Sequence, residues 1–100
     1  MILEMAVLQV KPGRADEFRK AFGSAEPIIA ASTGYVSHEL HRCVEDPDQF
    51  LLLVRWRTLE DHTRGFRGSP GYQRWKTLLH HFYDPFPTVL HFEVEPGPAA

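Results

Sequence analysis

The chain has 100 residues, of which 24% are charged and 43% hydrophobic, and its formal net charge is −2. That is enough sequence for one domain with an ordinary apolar fraction. It excludes a basic nucleic-acid surface, and the interleaving of arginines with acids leaves neither a polybasic patch nor an acidic tail.

Ile2 to Val10 predicts a first strand, apolar on both faces and closed by Lys11-Pro12-Gly13, with Glu4 as the exception inside it. Ala15 to Ala31 follows helical spacing. Ala15, Phe18, Phe22, Ala25 and Ile29 share one stripe, while Asp16, Glu17, Lys20 and Ser24 take the other side. Pro27 falls on the polar side, where a lost hydrogen bond predicts a bend and not a break. Gly34 is placed for a left-handed turn after this helix.

Tyr35 to Cys43 predicts a second strand, Glu45-Asp46-Pro47-Asp48 a turn, and Gln49 to Arg57 a third strand that closes a hairpin. By alternation Val36, His38, Leu40, Leu52, Val54 and Trp56 are assigned to one apolar face. Glu39 is expected to pair with Arg55 across the other. Thr58 suits a helix cap, with Asp61 complementing the helix start, and a short helical piece carrying His62 ends between Gly65 and Gly68. Ser69 caps a second helix with Pro70 at its first position. Tyr72, Trp75, Leu79 and Phe82 form its apolar stripe, and Asp84-Pro85-Phe86-Pro87 stops it. Thr88 to Val94 is the last strand.

The order βαββαβ is that of the split βαβ, ferredoxin-like α+β arrangement: an antiparallel sheet with both helices on one face. The domain is expected to span residues 1–95, with 96–100 a loose tail. The other sheet face carries leucines, and a homodimer joining two such faces is its simplest cover. The longest apolar run, Phe50 to Val54, is far short of the ~20 residues that cross a bilayer, and no charged leader with a cleavage site opens the chain. The single cysteine, Cys43, has no internal disulfide partner and suits a reducing cytoplasm.

Six histidines raise the question of a metal. In His38-Glu39-Leu40-His41 the two imidazoles lie three apart on a strand and face opposite sides, and His80 and His81 are ~100° apart on a helix. Neither spacing builds a site, so no metal is expected. Ser69 lacks the context of a hydrolase nucleophile, and Gly65 to Ser69 lacks the ending of a phosphate loop. His38 reads either as a core histidine or as a neutral base, and His62 either as a partly exposed side chain or as a base beside Trp56. Tyr72 and Trp75 read as core anchors or as ligand contacts. His91 alternates with Val89 and Glu93, and its side stays open.

The element order, the strand Leu52-Leu53-Val54-Arg55-Trp56, the turn Thr58-Leu59-Glu60-Asp61-His62 and the restart Gly68-Ser69-Pro70-Gly71-Tyr72 resemble the antibiotic biosynthesis monooxygenase (ABM) family from Ile2 to Val94. The resemblance implies a dimeric α+β barrel with a pocket between sheet and helices in each subunit. It also implies a set of activities that includes cofactor-free quinone-forming oxygenases, haem-degrading enzymes and an isomerase. Of the oxygenase residues, Trp56 matches the family's strand Trp. Leu52 stands where that branch has Asn, His62 where it has Tyr, and Lys76 near its Arg. The haem-degrading positions fall on Ala6, on Gly65 or Phe66, and on Lys76, and these departures count against haem. The isomerase His near Phe66 is absent. The expectation is therefore a cofactor-independent monooxygenase for an aromatic or quinol-type molecule. His62, His38 and Lys76 are its catalytic candidates, and Leu52, Trp56, Phe66, Tyr72 and Trp75 its pocket. A non-catalytic ligand-binding or structural homodimer is the alternative.

Overall fold

The structure is a computed structural model and describes residues 1–97. Its elements are β1 (Ile2–Gln9), α1 (Ala15–Ala30), β2 (Tyr35–Arg42), β3 (Gln49–Trp56), α2 (Pro70–Leu79) and β4 (Val89–Glu93). The strands form one antiparallel sheet in the order β2-β3-β1-β4, so each βαβ crossover skips one strand. Of the expected loose tail, residues 98–100 lie outside the described residues.

Alternation decides what the sheet buries. Ala6 and Leu8 of β1, followed by Val10, face the helices, as do Phe50, Leu52, Val54 and Trp56 of β3, and all are buried. α1 answers with the stripe read from its spacing, Ala15, Phe18, Phe22, Ala25 and Ile29. The helix runs unbroken past the exposed Pro27, and the N–H of Ala31 bonds the Pro27 carbonyl. α2 adds Trp75 and Leu79. Phe18 joins the layers, its ring centroid 5.0 Å from Phe50 and 5.7 Å from Phe82. Such aromatic pairs add about 0.5–1.5 kcal/mol each beyond the area they bury.

Three details depart from the sequence reading. Val36 is not part of the inner face. The β2–β3 register shifts between Tyr35 and Ser37, so Tyr35 stands opposite Trp56 and Val36 is left half-exposed. A bulge of this kind inserts one unpaired residue and turns its neighbours over. The helical piece after β3 is a π-turn over Asp61–Phe66, and the N–H of Asp61 bonds the Thr58 hydroxyl at 3.1 Å. The last helix tightens after Leu79 into a 3₁₀ turn over His80–Phe82. Gly34 takes φ +81°, and a Cβ there would overlap the Asp61 carboxylate. The loop into β2 therefore packs directly on the start of the π-turn.

A candidate ligand cavity at the Glu4, His62 and His91 cluster

Between the sheet, α2 and the segment leading into β4 lies a partly open cavity of about 440 Å³. Its floor is Ala6, Leu8 and Leu52 from the sheet, and Ile29 closes it from α1. Phe66, Tyr72 and Trp75 form an aromatic wall in which the Phe66 and Trp75 rings meet edge-on at 5.7 Å. Phe86, Pro87 and Val89 border the side toward β4. The polar groups are Glu4, His62, Arg67, His80 and two tyrosines, Tyr72 and Tyr83. The volume lies within the range of small-molecule sites, about 300–1,000 Å³, and few polar groups in an apolar hollow is their usual chemistry.

The cluster at one end follows from register and from the π-turn. Glu4 has the same inward parity as Ala6 and Leu8, so an acid enters the helix side of the sheet. β4 pairs His91 directly opposite Glu4 on that side. The wide π-turn brings both His62 and Phe66 inward, and turns of this type recur at functional sites. The His62 ring stacks on Trp56 at 5.2 Å with 14° between planes. Trp56 in turn donates its indole N–H to Glu4 Oε1 at 2.9 Å. His62 Nε2 lies 3.3 Å from the same oxygen, and His62 Nδ1 bonds His91 Nε2 at 2.8 Å.

Burial sets the charge states. Glu4 is 6% exposed and His62 4%. Desolvation raises the Glu4 pKa, against the Trp56 hydrogen bond and the Arg67 charge, which lower it. His62 is held down to about 3, first by burial and then by the Arg67 charge and His91. His91 is lowered by burial and Arg67, and His80 by burial and the Lys76 charge. At neutral pH the imidazoles are therefore uncharged, and His62 and His91 share a neutral hydrogen bond. Burial raises the Tyr83 phenol, which stays protonated. An imidazole set between a carboxyl oxygen and a second imidazole can pass a proton by exchanging tautomers, without ever becoming a cation.

Of the residues expected from sequence, His62, Leu52, Phe66, Tyr72 and Trp75 line the cavity. Trp56 does not touch it. The indole is fully buried one layer behind, orienting Glu4 and His62. His38 lies elsewhere, on the edge strand β2 away from β1 and β4: its Nδ1 meets the Tyr35 hydroxyl and its Nε2 meets Glu26 of α1 at 2.6 Å. Lys76 is exposed, with Nζ 5.7 Å from the Tyr72 ring centroid, outside the lining. Glu4, Arg67, His80, Tyr83 and His91 are additional. Glu4 carried a readable signal, the one charged residue within an apolar strand. Arg67 and Tyr83 carried none that pattern could separate from surface or core. Among the described residues, no group of three or more His, Cys, Asp or Glu side chains could hold a metal ion.

The sequence pattern of the family described as "Antibiotic biosynthesis monooxygenase" matches residues 1–78. A curated relative, "Uncharacterized protein YczJ" of Bacillus subtilis (strain 168), is 56% identical over 93 residues, covering 93% of this chain and 98% of that one. The crystal structure of a putative antibiotic biosynthesis monooxygenase from Bordetella bronchiseptica superposes with a TM-score of 0.90 at 32% identity, over 95% of this chain and 97% of that one. SnoaB from Streptomyces nogalater, described as a cofactor-independent oxygenase, shares the fold with a TM-score of 0.75 at 20% identity, over 96% and 94% of the two chains.

Proposed function

From a chain that belongs to the antibiotic biosynthesis monooxygenase family, we propose a cofactor-independent oxygenase that converts an electron-rich hydroxy-aromatic to a quinone in the Glu4–His62 cavity. One observation carries the reading. A desolvated carboxylate, held by an indole N–H and backed by two neutral imidazoles, opens onto an aromatic-walled hollow. This is what removal of a phenolic proton in a dry site needs.

The substrate ring lies against Phe66, Tyr72 and Trp75. Its hydroxyl gives a proton to Glu4, whose raised pKa makes the ionised form a stronger base than a solvated carboxylate. The aromatic anion passes an electron to dioxygen, and the two radicals combine at a ring carbon. The proton kept on Glu4 returns to the peroxide. Loss of water then leaves a carbonyl. One oxygen atom enters the product and the other leaves as water, so phenol plus O₂ gives quinone plus H₂O with no external reductant. His62 and His91 keep Glu4 in proton exchange with the rim. Trp56 and His62 act here as positioning and relay groups. His38 and Lys76, which do not reach the cavity, have no part in this step.

The same reading includes a homodimer. On the sheet face opposite the helices, Leu3, Met5, Val7, Leu51, Leu53, Leu90 and Phe92 lie in register, and Val7, Leu90 and Phe92 are 42%, 47% and 45% exposed. A contiguous apolar face of this kind is a pairing surface, and a second copy covers it symmetrically. A reducing cytoplasm fits the lone Cys43. No helix among the described residues is long and apolar enough to cross a membrane.

The test is oxygen uptake by the purified protein across a panel of dihydroxynaphthalenes, anthrones and hydroquinones. The expected result is uptake above buffer with at least one, with quinone absorbance growing in proportion. A second reading, a ligand-binding protein without turnover, is favoured by Leu52, an apolar residue where the oxygenases have Asn. Tight binding of the same panel with no uptake from any member would select it.

A further inference from the structure

We propose that Arg67 is the specificity residue of the cavity, and that the ligand it selects is an aromatic acid: a hydroxylated ring system carrying a carboxylate that pairs with this guanidinium. The inference rests on the cavity being the ligand site, but not on any chemistry with oxygen.

Arg67 is fixed where such a role requires. Its backbone N–H bonds the His62 carbonyl at 3.1 Å, which sets it just beyond the π-turn and next to Phe66 of the aromatic wall. Its side chain lines the cavity. Arg14 pairs with Glu17, Arg55 with Glu39, and Arg42 donates to the Pro47 carbonyl, and of the arginines without such a partner among the described residues Arg67 alone lines this cavity. Among the described residues, the Arg67 guanidinium has no ion pair and no side-chain hydrogen bond.

The rest of the lining does not neutralise it. Its one carboxyl group is Glu4, buried and already committed to Trp56. His62 and His80 are uncharged at neutral pH, so Arg67 is the one fixed positive charge on the cavity wall. A guanidinium binds a carboxylate through two parallel N–H···O bonds, which orients a ligand as well as holding it. With the acid on Arg67, a flat ring follows Phe66 along the aromatic wall and presents its far hydroxyl to Glu4.

The test is calorimetric titration, under anaerobic conditions at pH 7.5, of 6-hydroxy-2-naphthoate and of 2-naphthol into the wild type, Arg67→Gln and Arg67→Lys. The wild type is expected to bind the acid at least tenfold more tightly than the naphthol. Arg67→Gln should abolish that preference and leave the naphthol affinity unchanged, while Arg67→Lys keeps part of it. Arg67 is exposed, so neither change threatens the fold. Equal affinities in the wild type, a preference that survives in Arg67→Gln, or no binding of either probe would each overturn the inference. A protein that consumes no oxygen but keeps the Arg67-dependent preference loses the oxygenase reading alone.

Discussion

At the level of single residues, the informative feature is an acid where the fold needs an apolar side chain. A buried carboxyl survives only with partners, and Glu4 has the Trp56 indole and the His62 ring. Replacing Trp56 by Phe keeps the stacking surface but removes the N–H, leaving Glu4 without its donor. The expected cost is about 1–3 kcal/mol, read by chemical denaturation. His62 adds a pH dependence whose sign is fixed. Its folded-state pKa of about 3 lies below the unfolded 6.5, so the unfolded chain takes up the proton first, and stability falls as pH drops through that window. His80 and His91 are shifted in the same direction, whereas the raised Glu4 works oppositely. Melting temperatures measured from pH 7 to pH 4 should fall for the wild type and fall less for His62→Phe. An equal slope in both would remove His62 from the account.

At this scale the sequence was half legible. Motif comparison singled out His62, Phe66, Tyr72 and Trp75, and all four line the cavity, on the π-turn and on the capped helix α2. Alternation put His38 on the helix-covered face, and it lies there opposite Val54, bonded to Glu26 of α1 but outside the cavity lining. Lys76 was drawn in by family position, although its place on α2 directs it to solvent past Tyr72. The partner His91 depends on the register between β1 and β4, and the inward turn of Arg67 on the π-turn, neither of which local pattern encodes.

At the level of elements, the order, the helix stripes and the Ser69 cap were all readable, because each rests on local periodicity or turn chemistry. The cap is present, with the Tyr72 N–H on the Ser69 hydroxyl at 3.2 Å. The π-turn was not readable. Thr58 and Gly68 fix where this piece begins and ends, but its widening depends on seating His62 on Trp56 and Phe66 against Trp75. Gly34 supports that seat from the other side. Gly34→Ala places a methyl group on the Asp61 carboxylate at a positive φ, so a loss of about 1–3 kcal/mol is expected. Circular dichroism and denaturant midpoints measure it, and ligand affinity should weaken as the π-turn shifts. In α2, Leu79→Ala empties a fully buried site and should cost about 2–5 kcal/mol.

At the scale of the whole molecule, one sheet serves two tasks. Its helix side holds the cavity, and its open side carries the apolar rows that the proposed homodimer would cover. The alternation of Glu4 with Leu3 and Met5 along β1 assigns one strand to both. Placing a lysine at the centre of the open face, Leu90→Lys, should raise the dimer dissociation constant by at least tenfold in sedimentation, since an unpaired charge is then buried between copies. Because Leu90 points away from the cavity, ligand affinity should change little. A sharp loss of affinity in that variant would mean that the partner subunit completes the site.

The most direct test of the central claim is the rate of oxygen consumption by Glu4→Gln, compared with the wild type at saturating substrate. The substitution is nearly isosteric, keeps an acceptor for Trp56 and removes the base. The account predicts a fall of at least 100-fold with ligand affinity held within a few-fold. Undiminished consumption by Glu4→Gln would contradict it.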